Sequence, residues 1–204
     1  MVAAVVRGPS PGCNRVWELK KGRLIRDLRE VAGRSPVLKV LSIVDLSDEI
    51  RAIVVFWIPT LVYPRNGEIV TAGPVVVGIR YHSSFLSAPP LPWGLVTVLE
   101  PKGFFHPNAG PGGGLCLGHP PAGIGMAPIL HLTYAALTFA SANCVEWEGL
   151  NPEAAQFVRS KAAAFPLVPT GLFETPPADL VAGLGAADFD PSALMLAEQG
   201  GVSP

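Results

Sequence analysis

Residues 104–118 read F-F-H-P-N-A-G-P-G-G-G-L-C-L-G, and the rest of the chain is organised around them. A histidine, a proline and an asparagine lead into a glycine-rich loop. A single cysteine, Cys116, follows eight residues after Asn108. Glycine takes backbone conformations that side chains forbid and lets backbone approach a ligand closely. A thiol beside such a loop is therefore a candidate exposed nucleophile. The opposing reading is a surface loop whose cysteine packs inward, because free cysteines are among the most buried residues. From the loop alone both readings stand.

Strand patterns lie upstream of this loop and helical ones downstream. Residues 37–44 alternate, with Val37, Lys39, Leu41 and Ile43 on one side. Residues 50–58 are more continuously apolar, residues 74–81 contain Val75-Val76-Val77, and residues 95–99 are a fourth candidate. Turn signals at residues 45–49 and at Pro64-Arg65-Asn66-Gly67 separate them. Short consecutive strands with short turns predict an antiparallel meander. Before the strands, Trp17, Leu24, Leu28 and Val31 share one face of a helix over residues 17–32. Lys20, Lys21, Arg23, Arg26 and Arg29 cover most of the rest, an arrangement that most often marks a solvated surface.

After the loop, residues 126–142 are apolar almost all round, which predicts a buried helix with Pro128 in its first turn. Cys144, just beyond, is read as a packing residue. Asn151-Pro152-Glu153 is a helix start: N-cap, proline at the first helical position, then an acid in the first turn. Ala154, Ala155, Phe157, Val158 and Ala162 continue it to Pro166. The layout is α+β.

Composition bounds the remaining choices. With 204 residues and 49% hydrophobic residues, the chain can bury one core of ordinary domain size. Net charge is −1, which does not point to nucleic acid as a partner. Eight of the fifteen basic residues nonetheless lie in the first 34 positions, and none follows Lys161. Three widely spaced cysteines do not make a disulfide framework. No apolar run has the length of a membrane span or of a signal-peptide core. The expectation is a cytoplasmic protein with free thiols and no metal or cofactor. It divides into a loose lead-in over residues 1–16, a domain over 17–165, and a mobile Pro/Gly/Ala-rich acidic extension over 166–204. A short helix is possible at 180–187.

His106-Pro107-Asn108, seven residues, then Cys116-Leu117 resembles the active-site signature of ubiquitin-conjugating enzymes. Tyr81-x3-Phe85-x3-Pro89-Pro90 is similar to the strand end and double proline before that family's fourth strand. Leu150-Asn151-Pro152-Glu153-Ala154-Ala155 resembles the opening of its penultimate helix. Three matches in order cover roughly residues 17–165. The resemblance implies that family's fold: an N-terminal helix, a four-stranded antiparallel meander, a catalytic loop and C-terminal helices. Periodicity reaches the same layout independently.

The implied activity is transfer of a ubiquitin-like protein. Cys116 takes the modifier's C-terminus as a thioester from an activating enzyme, and an amine of a target protein, usually lysine, then takes it from Cys116. In the family the asparagine, here Asn108, either stabilises the oxyanion or orders the loop. His106 is expected to hold the turn through backbone hydrogen bonds, with Pro107 fixing the backbone between them. The first helix is where the activating enzyme docks in the family, which gives Lys20, Lys21, Arg23 and Arg26 that role against an acidic partner.

Two departures matter. No acidic residue lies between Cys116 and Glu146, and the family's tryptophan after the cysteine is missing. His119 is the ionisable residue nearest in sequence, and it is the candidate to orient or deprotonate the amine. The composition and divergent flanks resemble bacterial members encoded in antiphage operons beside a ubiquitin-like protein and its activating enzyme. Two other classes stay open. One is a cysteine hydrolase with His119 or His131 as base. The other is a non-catalytic binding module of the same fold.

Overall fold

The computed structural model describes residues 11–63, 67–142 and 150–182. Helix α1 spans Pro11–Arg34, and six strands follow: β1 Leu38–Asp45, β2 Glu49–Phe56, β3 Thr60–Val62, β4 Val70–Ala72, β5 Val75–His82 and β6 Val96–Glu100. Helices α2 Met126–Leu137, α3 Pro152–Ser160 and α4 Ala178–Ala182 close the described chain. The main sheet is antiparallel with order β1-β2-β5-β6. The protein is thus α+β, with an N-terminal helix, a four-stranded antiparallel sheet and later helices.

Register follows from the two-residue period of a strand, which sends alternate side chains to opposite faces. Ile50, Ala52, Val54 and Phe56 pair with Tyr81, Ile79, Val77 and Val75. All eight are buried. They form one core with Trp17, Leu24, Leu28 and Val31 of α1 and Met126, Ile129, Leu130 and Leu137 of α2. Leu24 and Leu28 have no exposed surface, so truncating either to alanine is expected to cost about 2–5 kcal/mol. Tyr81 stacks on Trp17 at 6.2 Å and donates its hydroxyl to the Ile124 carbonyl at 2.9 Å. Burial pushes its pKa up to about 12.

Several boundaries differ from the sequence reading. Helix α1 starts at Pro11, inside the expected lead-in, six residues before Trp17, where the apolar pattern begins. In β1 the expected alternation breaks. Val37 and Leu38 are both buried, Lys39 is exposed, and the pairing passes from Val40↔Val54 to Ser42↔Ile53, leaving Leu41 in a bulge. Between β2 and β5 the short β3–β4 hairpin extends from the meander with its own pairing, Thr60↔Ala72 to Val62↔Val70. Helix α2 stops at Leu137 rather than at 142.

The segment after Pro166 is not all extension. Val168 and Leu172 are buried in the main core. The Leu172 carbonyl accepts from Ser35 Oγ at 2.6 Å, Thr170's from Tyr134 Oη at 3.0 Å, and the Leu167 N–H donates to the Thr138 carbonyl at 2.9 Å. Phe173 sits under the Arg34 guanidinium at 4.7 Å. The domain therefore runs past its expected end at 165. Residues 1–10, residues 64–66 of the expected turn, Cys144, Glu146 and residues 183–204 lie outside the described residues.

Candidate active site around Cys116

The turn that opens the site is anchored from below. His106 is fully buried, and its Nδ1 accepts the Asn108 N–H at 2.9 Å. The His106 carbonyl takes the Ala109 N–H, and the Pro107 carbonyl takes the N–H of Asn151 at 3.1 Å. Asn151 is itself the N-cap of α3, its side chain accepting the Ala154 N–H at 3.1 Å. The His106 ring lies 5.6 Å from Phe104 and 4.3 Å from Phe139. Burial pushes its pKa down to about 3; the Ala136 backbone acts the other way without meeting hydrogen-bond geometry, which leaves Nε2 unpartnered. The imidazole is thus neutral at physiological pH, with Nδ1 as the acceptor and Nε2 protonated.

The glycine loop closes through Gly110 N–H to the Gly114 carbonyl at 2.9 Å. Gly113 needs to be glycine: its φ is +81°, and a Cβ there would lie 2.6 Å from the Val98 carbonyl oxygen. Residues 114–117 then run extended between two neighbours. On one side Leu115 N–H donates to Val96 and Leu117 N–H to Pro92; on the other Cys116 N–H donates to the Asn108 carbonyl at 2.8 Å. An extended segment alternates its side chains. Leu115 and Leu117 point into the core, so Cys116 between them points out and is half-buried.

Above the sulfur is a hollow of about 360 Å³ lined by Asn108, Leu117, Gly118, Leu132, Ala136, Ser141 and Ala142. Asn108 Nδ2 donates to the Cys116 carbonyl at 3.4 Å, tying the asparagine across the loop. A second, larger groove of about 610 Å³ lies on the far flank of the glycine loop, between Phe104, Lys102, Gly110 and the Leu150–Pro152 entry to α3. The wall from Leu132, Ala136, Ser141 and Ala142 has no motif in the sequence. Its signal is the four-residue step from Leu132 to Ala136, which puts both on one helix face.

Sequence-predicted residues divide between this site and the rest of the surface. Cys116, Asn108, His106 and Pro107 come together. His119 is exposed and, among the described residues, is not part of the hollow's lining. His131 is exposed and lies edge-on to Phe173 at 5.2 Å, also outside that lining. On α1 the basic set splits. Lys21 is turned inward and 7% exposed; its Nζ reaches Asp45 at 2.6 Å, Glu18 at 3.0 Å and the Leu46 carbonyl at 3.2 Å. The Asp45 hydrogen bond leads in raising its pKa, burial opposes it, and Glu18 adds to the rise. Lys20 Nζ donates to the Gly123 carbonyl at 2.7 Å. Arg23 and Arg26 are exposed and make no ion pair within the described residues.

Among the described residues no cluster of three histidine, cysteine, aspartate or glutamate side chains is placed to hold a metal ion. No described helix is long and apolar enough to cross a membrane. Comparison with models of protein families, with curated proteins and with solved structures found no match to this chain.

Proposed function

We propose that the protein is a conjugating transferase of the ubiquitin-conjugating type, with its fold, that carries a ubiquitin-like modifier as a thioester on Cys116. The observation that carries this reading is the sulfur's setting. A thiol faces outward from an extended segment clamped on both edges, under a shallow hollow, with a side-chain amide bound across the same loop.

In the proposed cycle the Cys116 thiolate attacks the modifier's C-terminal carbonyl, held as a thioester on an activating enzyme, and that enzyme's thiolate leaves. An amine of a target protein then attacks the new thioester, the Cys116 thiolate leaves, and the nitrogen's proton passes to water. Thioesters keep acyl reactivity and thiolates leave well, which suits cysteine to the carrier role. Each attack places negative charge on the carbonyl oxygen. Asn108, tied to the Cys116 carbonyl in the resting loop, is the donor within reach of the thiol segment. The exposed guanidinia of Arg23 and Arg26 suit an acidic activating enzyme, whereas Lys20 and Lys21 serve the fold. A cytoplasmic setting, read from cysteine usage and the lack of a long apolar run, and a bacterial antiviral role, read from resemblance, belong to the same proposal.

The test is incubation with activating enzyme, ATP and the ubiquitin-like partner. A reductant-sensitive adduct that disappears in Cys116→Ala is the expected outcome. Cleavage of a supplied conjugate instead would mark a hydrolase, and neither product a binding module; both results defeat the proposal.

A further inference from the structure

Helix α2 ends in a turn that sequence periodicity gives no reason to expect. Phe139 has φ +63°, and among the described residues it is the one non-glycine side chain in the left-handed region. A bulky residue there is strained, so the surroundings must impose it. They do so through two rings: His106 at 4.3 Å and Phe165 at 4.9 Å from the Phe139 centroid. Backbone bonds fix the rest. Phe139 N–H donates to the Ala136 carbonyl at 2.8 Å, Ser141 N–H to Ala135 at 2.9 Å, and Leu167 N–H to Thr138 at 2.9 Å.

The turn delivers Ser141 and Ala142 to the hollow above Cys116, whose lining they share with Asn108. Asn108 is held through its N–H on His106 Nδ1. One ring thus touches the anchor of Asn108 and shapes the path of Ser141 and Ala142, two parts of the same lining. We propose that Phe139 is a positioning residue that fixes the width of the Cys116 hollow, and with it the size of group that reaches the sulfur. Phe165, beyond α3 and outside the lining, braces this arrangement from behind. The functional corollary rests on Cys116 being the reacting thiol; the geometry does not.

The experiment reads geometry first. The full chain is alkylated with iodoacetamide and with a maleimide bearing a bulky aromatic group, and modification at Cys116 is followed by peptide mass spectrometry, which separates it from Cys13 and Cys144. In Phe139→Leu and Phe165→Leu the bulky reagent is expected to gain about tenfold relative to the small one, equal to ~1.4 kcal/mol of altered access. The small reagent's rate stays within about twofold. Leucine keeps an apolar filling, and near-ultraviolet circular dichroism identifies the variants that retain native packing. Phe139→Gly, which removes both ring and strain, is the second arm and should show the same change in ratio. An unchanged ratio in the natively packed variants overturns the proposal, as does an equal gain for both reagents, which signals general loosening. Thioester loading of the same variants is measured separately. Wild-type protein that is never loaded defeats the transferase reading while leaving the alkylation result intact.

Discussion

His106 should make the protein sensitive to mild acid. Its imidazole is fully buried, one nitrogen accepts the Asn108 N–H, and the other has no partner within the described residues. Among the described residues no charged group shifts it, and burial pushes the pKa down from 6.5 to about 3. The unfolded chain therefore binds that proton first. Because the folded value lies below the unfolded one, the contribution to stability is complete above about pH 6.5 and is lost as the pH falls toward 3. One pKa unit is worth ~1.4 kcal/mol. Relative to about pH 7.5, the loss is about 1 kcal/mol at pH ~5.5 and about 3 kcal/mol at pH ~4.5, against a typical domain stability of about 5–15 kcal/mol. The assay is urea unfolding across this range for wild type and His106→Gln. Near neutrality the variant should be less stable by about 1 kcal/mol, since the Asn108 N–H loses its acceptor. Glutamine cannot take the proton, so the two stability curves converge as the pH falls and cross near pH ~5.5. Parallel curves down to pH ~4.5 would refute the reasoning, as would a His106 ring resonance titrating above pH ~5 in the folded protein.

Glu49, 4% exposed, accepts from Arg51 Nε and Arg80 Nε at 2.6 Å each. Burial raises its pKa, but Arg80 and Arg51 more than offset that and leave it lowered. Its contribution is therefore present above the unfolded value of 4.5 and lost as pH falls through the folded value. Glu49→Gln should cost about 1–3 kcal/mol at neutral pH, with the deficit vanishing in acid, both read by urea unfolding. Gly113→Ala should cost about 2 kcal/mol or more, because left-handed strain adds to the 2.6 Å approach to Val98; Gly112→Ala, at φ +79° in open space, should cost only about 1 kcal/mol. Lys21→Met should lower stability by about 1–3 kcal/mol, while Arg23→Ala and Arg26→Ala stay within about 0.5 kcal/mol and slow only thioester loading. Asn108→Ala should slow transfer to free lysine by about 100-fold in single-turnover discharge, whereas the pH profile of His119→Ala should match wild type.

What the sequence made legible is what repeats with a period. The antiparallel meander follows from consecutive apolar runs separated by turn signals, and α3 follows from Asn151-Pro152-Glu153. The His106–Asn108 turn and Cys116 are adjacent enough in the chain for spacing to relate them. The rest depends on partners distant in sequence. Lys21 looks like one more cation on a basic helix until Asp45 turns toward it across the β1–β2 turn. Strands β3 and β4 are three residues each, too short for alternation to register, and Pro59 interrupts the apolar run before them. Residues 166–174 have the proline and glycine content of a linker, yet Val168 and Leu172 bury fully because Ser35 and Tyr134 supply side-chain donors to that backbone. Helix α2 ends five residues before the 142 that its apolar pattern predicts, because the end is imposed by rings on other segments, which no local propensity records.

The exposure of the sulfur is a consequence of register more than of the residue's own character. A free cysteine prefers burial, and the positions on either side of Cys116 are buried. The thiol faces outward because Leu115 and Leu117 occupy the inward positions of an extended segment and the ladder of backbone bonds to Val96, Pro92 and Asn108 allows no slip. In an extended chain a shift by one residue exchanges the two faces. Such a shift would send the sulfur into the core and two leucines into solvent. The glycine loop sets this register, since its closure from Gly110 to Gly114 fixes how many residues separate the His106 turn from the clamped segment. The seven-residue spacing between Asn108 and Cys116 is therefore a structural quantity: it turns the thiol outward and leaves Leu115 facing the core.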